Sequence, residues 1–205
     1  MATTVRPHDL LWLRRARLTV QEDWVRQYWH IDLPLVVRRD MMAASGLIPI
    51  GVRGKRREQR AAGWVRQADI ASVIAPEMLI CRELVLRSPF VTYPPLRALL
   101  ALSEITWPWR WGVTGSTGYA LATNLPVLHA NSDLDLLIRI PKPLPREVFL
   151  HWQESTSALP CRIDTQIETP LGAFALNEWL CKACVLLKTN SGPLLTTSPW
   201  DTEVR

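Results

Sequence analysis

The seven residues Ser132-Asp133-Leu134-Asp135-Leu136-Leu137-Ile138 constrain this 205-residue chain more than any other stretch. So dense an apolar run reads as a central strand, and the period of two along a strand points Asp133 and Asp135 to one face. Burying two carboxylates without a cation is costly, so the pair reads as a metal-ligand set rather than as acids on an exposed edge. Hard anionic oxygens side by side suit a divalent ion such as magnesium. Upstream, Gly115-Ser116-Thr117-Gly118-Tyr119 follows a strand-like run. A Gly-Ser turn opening a helix exposes backbone N–H groups that receive phosphate oxygens. Metal ligands beside a phosphate cradle are the minimum apparatus of phosphoryl or nucleotidyl transfer.

The chain is 48% hydrophobic and 21% charged, a globular composition long enough to bury a core. No apolar run approaches the roughly 18 residues of a membrane span, and Met1-Ala2-Thr3-Thr4-Val5-Arg6-Pro7 lacks a signal-peptide core. The expectation is a cytoplasmic protein with no membrane partner. Cys181 and Cys184 form one C-x-x-C without a second pair or a nearby histidine, so ordinary thiols are expected. Residues 1–100 hold 16 Lys/Arg against 9 Asp/Glu, whereas residues 101–205 hold 8 against 10. A basic N-terminal half suggests an anionic partner: nucleic acid, a phosphorylated ligand or an acidic protein surface.

Two domains are expected, a small α/β accessory domain over 1–85 and a catalytic α+β domain over 86–205. The Pro-rich stretch Ser88–Pro95 marks their junction. In the first, strands are expected at Leu33–Arg39 and Leu47–Arg53, with helices over Gln21–His30 and from Asp69 toward Ile80, where Pro76 threatens a break. Asp9 reads as a helix cap before Leu10-Leu11-Trp12. In the second, a helix over Pro95–Ile105 leads to a strand over Trp109–Val113, the Gly-Ser helix and the aspartate strand Ser132–Ile140. A helix at Pro145–Ser157, a strand at Arg162–Glu168, a helix around Phe174–Leu180 and a hairpin turning at Asn190-Ser191-Gly192 complete it. Trp107, Trp109 and Trp111 are expected to line both faces of their strand as core residues.

Asp164, on the strand after the next helix, is the natural third carboxylate, completing the site for two metals or accepting a proton from the attacking group. In the basic run Arg53-Gly54-Lys55-Arg56-Arg57-Glu58-Gln59-Arg60, the arginines suit phosphate because the planar guanidinium donates two parallel hydrogen bonds. Arg53, Arg57 and Arg60 are the candidates, while Lys55 and Arg56 read as a solvated face.

Gly115-Ser116, then Asp133-x-Asp135, then a lone strand aspartate resembles the polymerase β-like nucleotidyltransferase fold, a mixed sheet with helices. The runs from Gly115 to Thr123 (GSTGYALAT) and from Ser132 to Arg139 (SDLDLLIR) resemble a narrower family, the holo-acyl-carrier-protein synthases of malonate decarboxylase, or phosphoribosyl-dephospho-CoA transferases. So do Arg6–Trp12, Ile50–Gly54 with Arg57 and Arg60, and Asp164–Gly172. The likeness spans nearly the whole chain. It implies transfer of a phosphoribosyl-dephospho-CoA group from 2′-(5″-triphosphoribosyl)-3′-dephospho-CoA to a carrier-protein serine, releasing pyrophosphate. In that reading Asp133, Asp135 and Asp164 hold magnesium, Asp164 takes the serine proton, and Gly115 and Ser116 hold the leaving phosphates. The partners implied are the acyl carrier subunit and the CoA-derived donor, with no nucleic acid. Two rivals stand beside it: a nucleotidyltransferase using ATP or CTP on a small molecule or RNA, and a non-catalytic nucleic-acid-binding module using the basic half.

Overall fold

The computed structural model describes residues 5–41, 46–56 and 58–201. Arg57 therefore lies outside the described residues. The chain forms two compact units, 1–75 and 76–205, dividing ahead of the 85/86 junction expected from sequence. Within the second unit the 3₁₀ turn Pro76–Ile80 packs on the strand Arg110–Val113, and the helix Arg82–Leu86 packs on the helix Pro94–Ser103.

The first unit consists of β1 (Leu10–Leu13), β2 (Thr19–Val20), α1 (Asp23–Tyr28), β3 (Leu35–Val37), β4 (Leu47–Arg53), β5 (Arg60–Arg66) and β6 (Ile70–Ile74). Among the described residues they build one sheet in the order β2-β5-β4-β3-β1-β6, every pairing antiparallel. Short antiparallel connections need no helical crossover. The unit is thus a sheet with one short helix rather than the expected α/β arrangement. Leu11, Leu35, Ile50, Val52 and Val65 are all at most 1% exposed and form its core, against which Val25 of α1 packs.

Two expectations fail here. The helix from Asp69 toward Ile80 is instead β6 followed by the 3₁₀ turn. The β-branched residues of Ile70–Ile74 pair with β1, an edge that local periodicity does not reveal. Asp9 caps no helix. Its Oδ2 accepts the Arg6 N–H at 2.8 Å just before β1, and its carbonyl accepts the Val37 N–H at 2.9 Å, tying β1 to β3.

The second unit runs α2 (Arg82–Leu86), α3 (Pro94–Ser103), β7 (Arg110–Val113), α4 (Gly115–Thr123), β8 (Leu134–Arg139), α5 (Arg146–Ser157), β9 (Ile163–Glu168), β10 (Ala173–Ala175), α6 (Leu176–Cys181), β11 (Val185–Thr189) and β12 (Gly192–Thr196). The sheet order is β12-β11-β10-β9-β8-β7, mixed because β8 and β9 run parallel while the other neighbours are antiparallel. The fold class is α+β. As its hydrophobicity demands, β8 is internal: Leu134, Leu136, Leu137 and Ile138 are 1% exposed or less.

Opposite faces of this sheet are covered by different elements. Trp111 stands opposite Ile138 and meets Trp152 of α5 at 5.7 Å between ring centroids. Trp107 and Trp109 meet the same ring at 4.6 and 5.9 Å. The three tryptophans therefore share one side, contrary to the expected distribution over both faces. Residues spaced by two on an extended chain point the same way. The other face carries Gly112, where an added Cβ would fall 2.3 Å from the backbone of Pro76.

Candidate functional site

The three aspartates gather where β8 and β9 begin. The parallel register sets Asp135 beside Asp164 and Leu134 beside Ile163. One step further out, Asp133 and Arg162 precede their strands as the next opposed pair. By the period of two, Asp133 and Asp135 face the same way, as do Arg162 and Asp164. One Arg162 nitrogen donates to Asp133 Oδ2 at 2.6 Å and to Asp164 Oδ2 at 2.7 Å. The side chains of Asp133, Asp164 and Arg162 are 32%, 45% and 67% exposed, so the cluster opens to solvent. Asp164 first, and then Asp133, pushes the Arg162 guanidinium above its ordinary value.

Asp135 sits against the start of α4. The Thr114 N–H donates to the Asp135 carbonyl at 2.9 Å, aligning the end of β7 with β8. The chain then turns through Gly115 at φ +61° into the helix. A Cβ at Gly115 would lie 1.9 Å from Asp135 Oδ2, so only glycine lets the helix start approach this carboxylate. The first turn of α4 directs its N–H groups and the positive end of its dipole toward that end of the sheet. Ser116 follows in the same turn.

Gly115, Ser116, Asp133, Asp135 and Asp164 thus belong to one neighbourhood of the second unit. Arg53 and Arg60 belong to the first unit, directly opposite one another on β4 and β5. Among the described residues, no group of three or more His, Cys, Asp or Glu side chains converges in metal-ligand geometry; between Asp133 and Asp164 stands Arg162. Nothing in the residues alone assigns Arg162 a role. Its signal was its spacing, two residues before Asp164 at the start of the same strand. Cys161 is a free thiol, pushed up mainly by burial and further by the charge of Asp133. That makes it a poor nucleophile. Cys181 and Cys184 are likewise free.

Acidic strand ends against a glycine-opened helix start are equipment for moving a phosphorylated group, and the class they define is a group-transfer enzyme. Two family profiles cover the chain: the phosphoribosyl-dephospho-CoA transferase MdcG N-terminal domain over residues 6–76 and the C-terminal domain over residues 83–199. The chain belongs to the phosphoribosyl-dephospho-CoA transferase family. A phosphoribosyl-dephospho-CoA transferase of Klebsiella pneumoniae is 58% identical, covering 99% of this chain and 100% of its own length. Relatives of the same name from Azotobacter vinelandii and Pseudomonas putida are 43% and 42% identical, each covering 95% of this chain and 93% and 95% of their own. No solved structure matches.

Proposed function

We propose that this transferase moves the phosphoribosyl-dephospho-CoA group of 2′-(5″-triphosphoribosyl)-3′-dephospho-CoA onto a serine of the acyl carrier subunit of malonate decarboxylase. The serine oxygen attacks the α-phosphorus, the bond from that phosphorus to the β-phosphate oxygen breaks, and pyrophosphate leaves. End-to-end likeness to relatives named for this transfer supports the group transferred. The observation that carries the mechanism is the in-register pair Asp135–Asp164 against the Gly115 helix start. The finer fold we assign to the second unit is that of polymerase β-like nucleotidyltransferases, supported by its mixed sheet and by the order Gly-Ser helix, Asp-x-Asp strand, third aspartate strand.

The donor set suits magnesium, since all three side chains offer hard carboxylate oxygens and a guanidinium already bridges two of them. Asp133, Asp135 and Asp164 would hold the ion, which when bound neutralises charge on the triphosphate oxygens. Gly115 and Ser116 present backbone N–H groups to the departing phosphates, holding the α-phosphorus for in-line attack. Asp164, more exposed than Asp133, receives the serine proton. Arg53 and Arg60, with Arg57, are assigned to anionic parts of the donor or the carrier.

The test is transfer by the purified protein onto apo carrier protein. The labelled triphosphoribosyl donor modifies the serine, while ATP and CTP do not. Asp133→Asn and Asp135→Asn each lower the rate by roughly 10²–10³-fold or more, the scale of losing one preorganised electrostatic contact, with the thermal midpoint held. Labelling from ATP, without labelling from the dephospho-CoA derivative, would sink the substrate assignment. Near-normal turnover in the Asp133/Asp135 double variant would remove the carboxylate mechanism.

A further inference from the structure

We propose that Arg162 is an internal counter-cation that occupies the carboxylate site in the resting protein and must be displaced before a divalent ion binds, so that the ion enters together with a polyphosphate. This rests on the reading of Asp133 and Asp164 as metal ligands. The argument begins with geometry. A single guanidinium nitrogen lies 2.6 Å from Asp133 Oδ2 and 2.7 Å from Asp164 Oδ2. Asp133 and Asp164 are two of the three carboxylates that would hold the ion, and the guanidinium that pairs with both competes with it for them. Two like charges brought together at strand ends repel without a cation, so in the resting protein Arg162 keeps the two strand ends in register.

The contact is also reversible. Arg162 precedes β9 and its side chain is 67% exposed, so swinging it outward breaks solvated ion pairs rather than core packing. Exposed pairs of this kind hold weakly. Once released, the guanidinium remains at the mouth of the same site, where a planar fork matches the oxygens of a polyphosphate. Polyphosphate therefore attracts Arg162 away from the carboxylates at the moment it delivers the divalent ion. The two ligands become thermodynamically coupled, and that coupling is reciprocal. Arg162 acts as a positioning residue: it decides when Asp133 and Asp164 are available and takes no part in bond exchange.

The experiment measures Mn²⁺ affinity of the intact protein by calorimetry and by electron paramagnetic resonance, with and without inorganic tripolyphosphate. The variants are Arg162→Gln, Arg162→Lys and Asp133→Asn, with thermal midpoints checking the fold. Without tripolyphosphate, Arg162→Gln is expected to bind Mn²⁺ on the order of tenfold more tightly than the wild type, and Arg162→Lys to fall between. Tripolyphosphate should tighten Mn²⁺ binding in the wild type more than in Arg162→Gln. Mn²⁺ binding that Asp133→Asn abolishes but Arg162→Gln leaves unchanged overturns this inference and leaves the metal reading standing. Absence of Mn²⁺ binding in the wild type and Arg162→Gln alike, with or without tripolyphosphate, overturns both.

Discussion

A backbone at φ +61° with a carboxylate oxygen where a β-carbon would stand leaves one residue type for position 115. Alanine there meets two separate penalties. The left-handed conformation costs about 1–2 kcal/mol for a residue with a β-carbon, and the clash pushes Asp135 out of register with Asp164. Gly192 is the useful contrast: its φ is +122°, yet an added Cβ meets nothing within 4 Å. Gly192→Ala should therefore cost stability, about 1–3 kcal/mol from backbone strain, and leave the transfer rate of the folded protein near wild type. Gly115→Ala should lose comparable stability and also at least about tenfold in turnover, the consequence of misplacing a reacting group. Thermal denaturation and single-turnover kinetics on the two variants check this. Equal turnover in both would detach Gly115 from the site. The gathering of the three aspartates is legible in the sequence, because period two aligns Asp133 with Asp135 and the next strand brings Asp164. Arg162 was not legible. Its position opposite Asp133 depends on the parallel β8–β9 register, which is a property of two strands and not of either alone.

At the scale of elements, the sheet face that bears Asp135 is tied to its covering turn by charge. Asp135, Leu137 and Arg139 follow one another on that face of β8, opposite Asp164, Gln166 and Glu168 of β9. The Arg139 guanidinium donates to Glu168 Oε2 and, through Nε at 2.8 Å, to Glu77 Oε1 of the 3₁₀ turn. These side chains are only 11% to 18% exposed. Removing the cation from such an arrangement leaves carboxylates facing each other away from water, at a cost of about 3–5 kcal/mol. Arg139→Met is expected to lower stability by that amount in chemical denaturation. Adding Glu77→Gln and Glu168→Gln should recover most of it, since the uncompensated charge is then gone. A loss below about 1 kcal/mol for Arg139→Met would show the triad to be no stronger than a surface pair. Elements bounded by Pro or Gly are readable from the sequence. Pro94 opens α3, Gly115 opens α4, and Gly192 starts β12 where the hairpin turn was expected. The strand Ile70–Ile74 differs from the expected helix because its partner, β1, lies some sixty residues away and its apolar positions alternate poorly.

Across the whole molecule, charge divides along the two units. Residues 1–75 carry 13 Lys/Arg against 7 Asp/Glu, and residues 76–205 carry 11 against 12. The basic excess thus belongs to the unit that lacks the aspartate cluster. On its sheet, Ile50, Val52, Ala61 and Val65 turn to the core, so Arg53 and Arg60 point to the opposite face across the β4–β5 pair. A fixed positive field of this kind speeds encounter with an anionic partner and is screened beyond a Debye length of about 10 Å at 0.1 M salt. For the proposed carrier-protein acceptor, KM should therefore climb several-fold as ionic strength rises from about 0.05 to 0.3 M, with kcat held. Arg60→Glu should raise KM at low salt and flatten the salt dependence, again at constant kcat, because it weakens steering of the carrier. Steady-state kinetics with the carrier as varied substrate separate these effects. If Arg60→Glu lowered kcat at unchanged KM, the arginine would belong to the chemistry of the donor and the basic sheet would have no part in recruiting the acceptor.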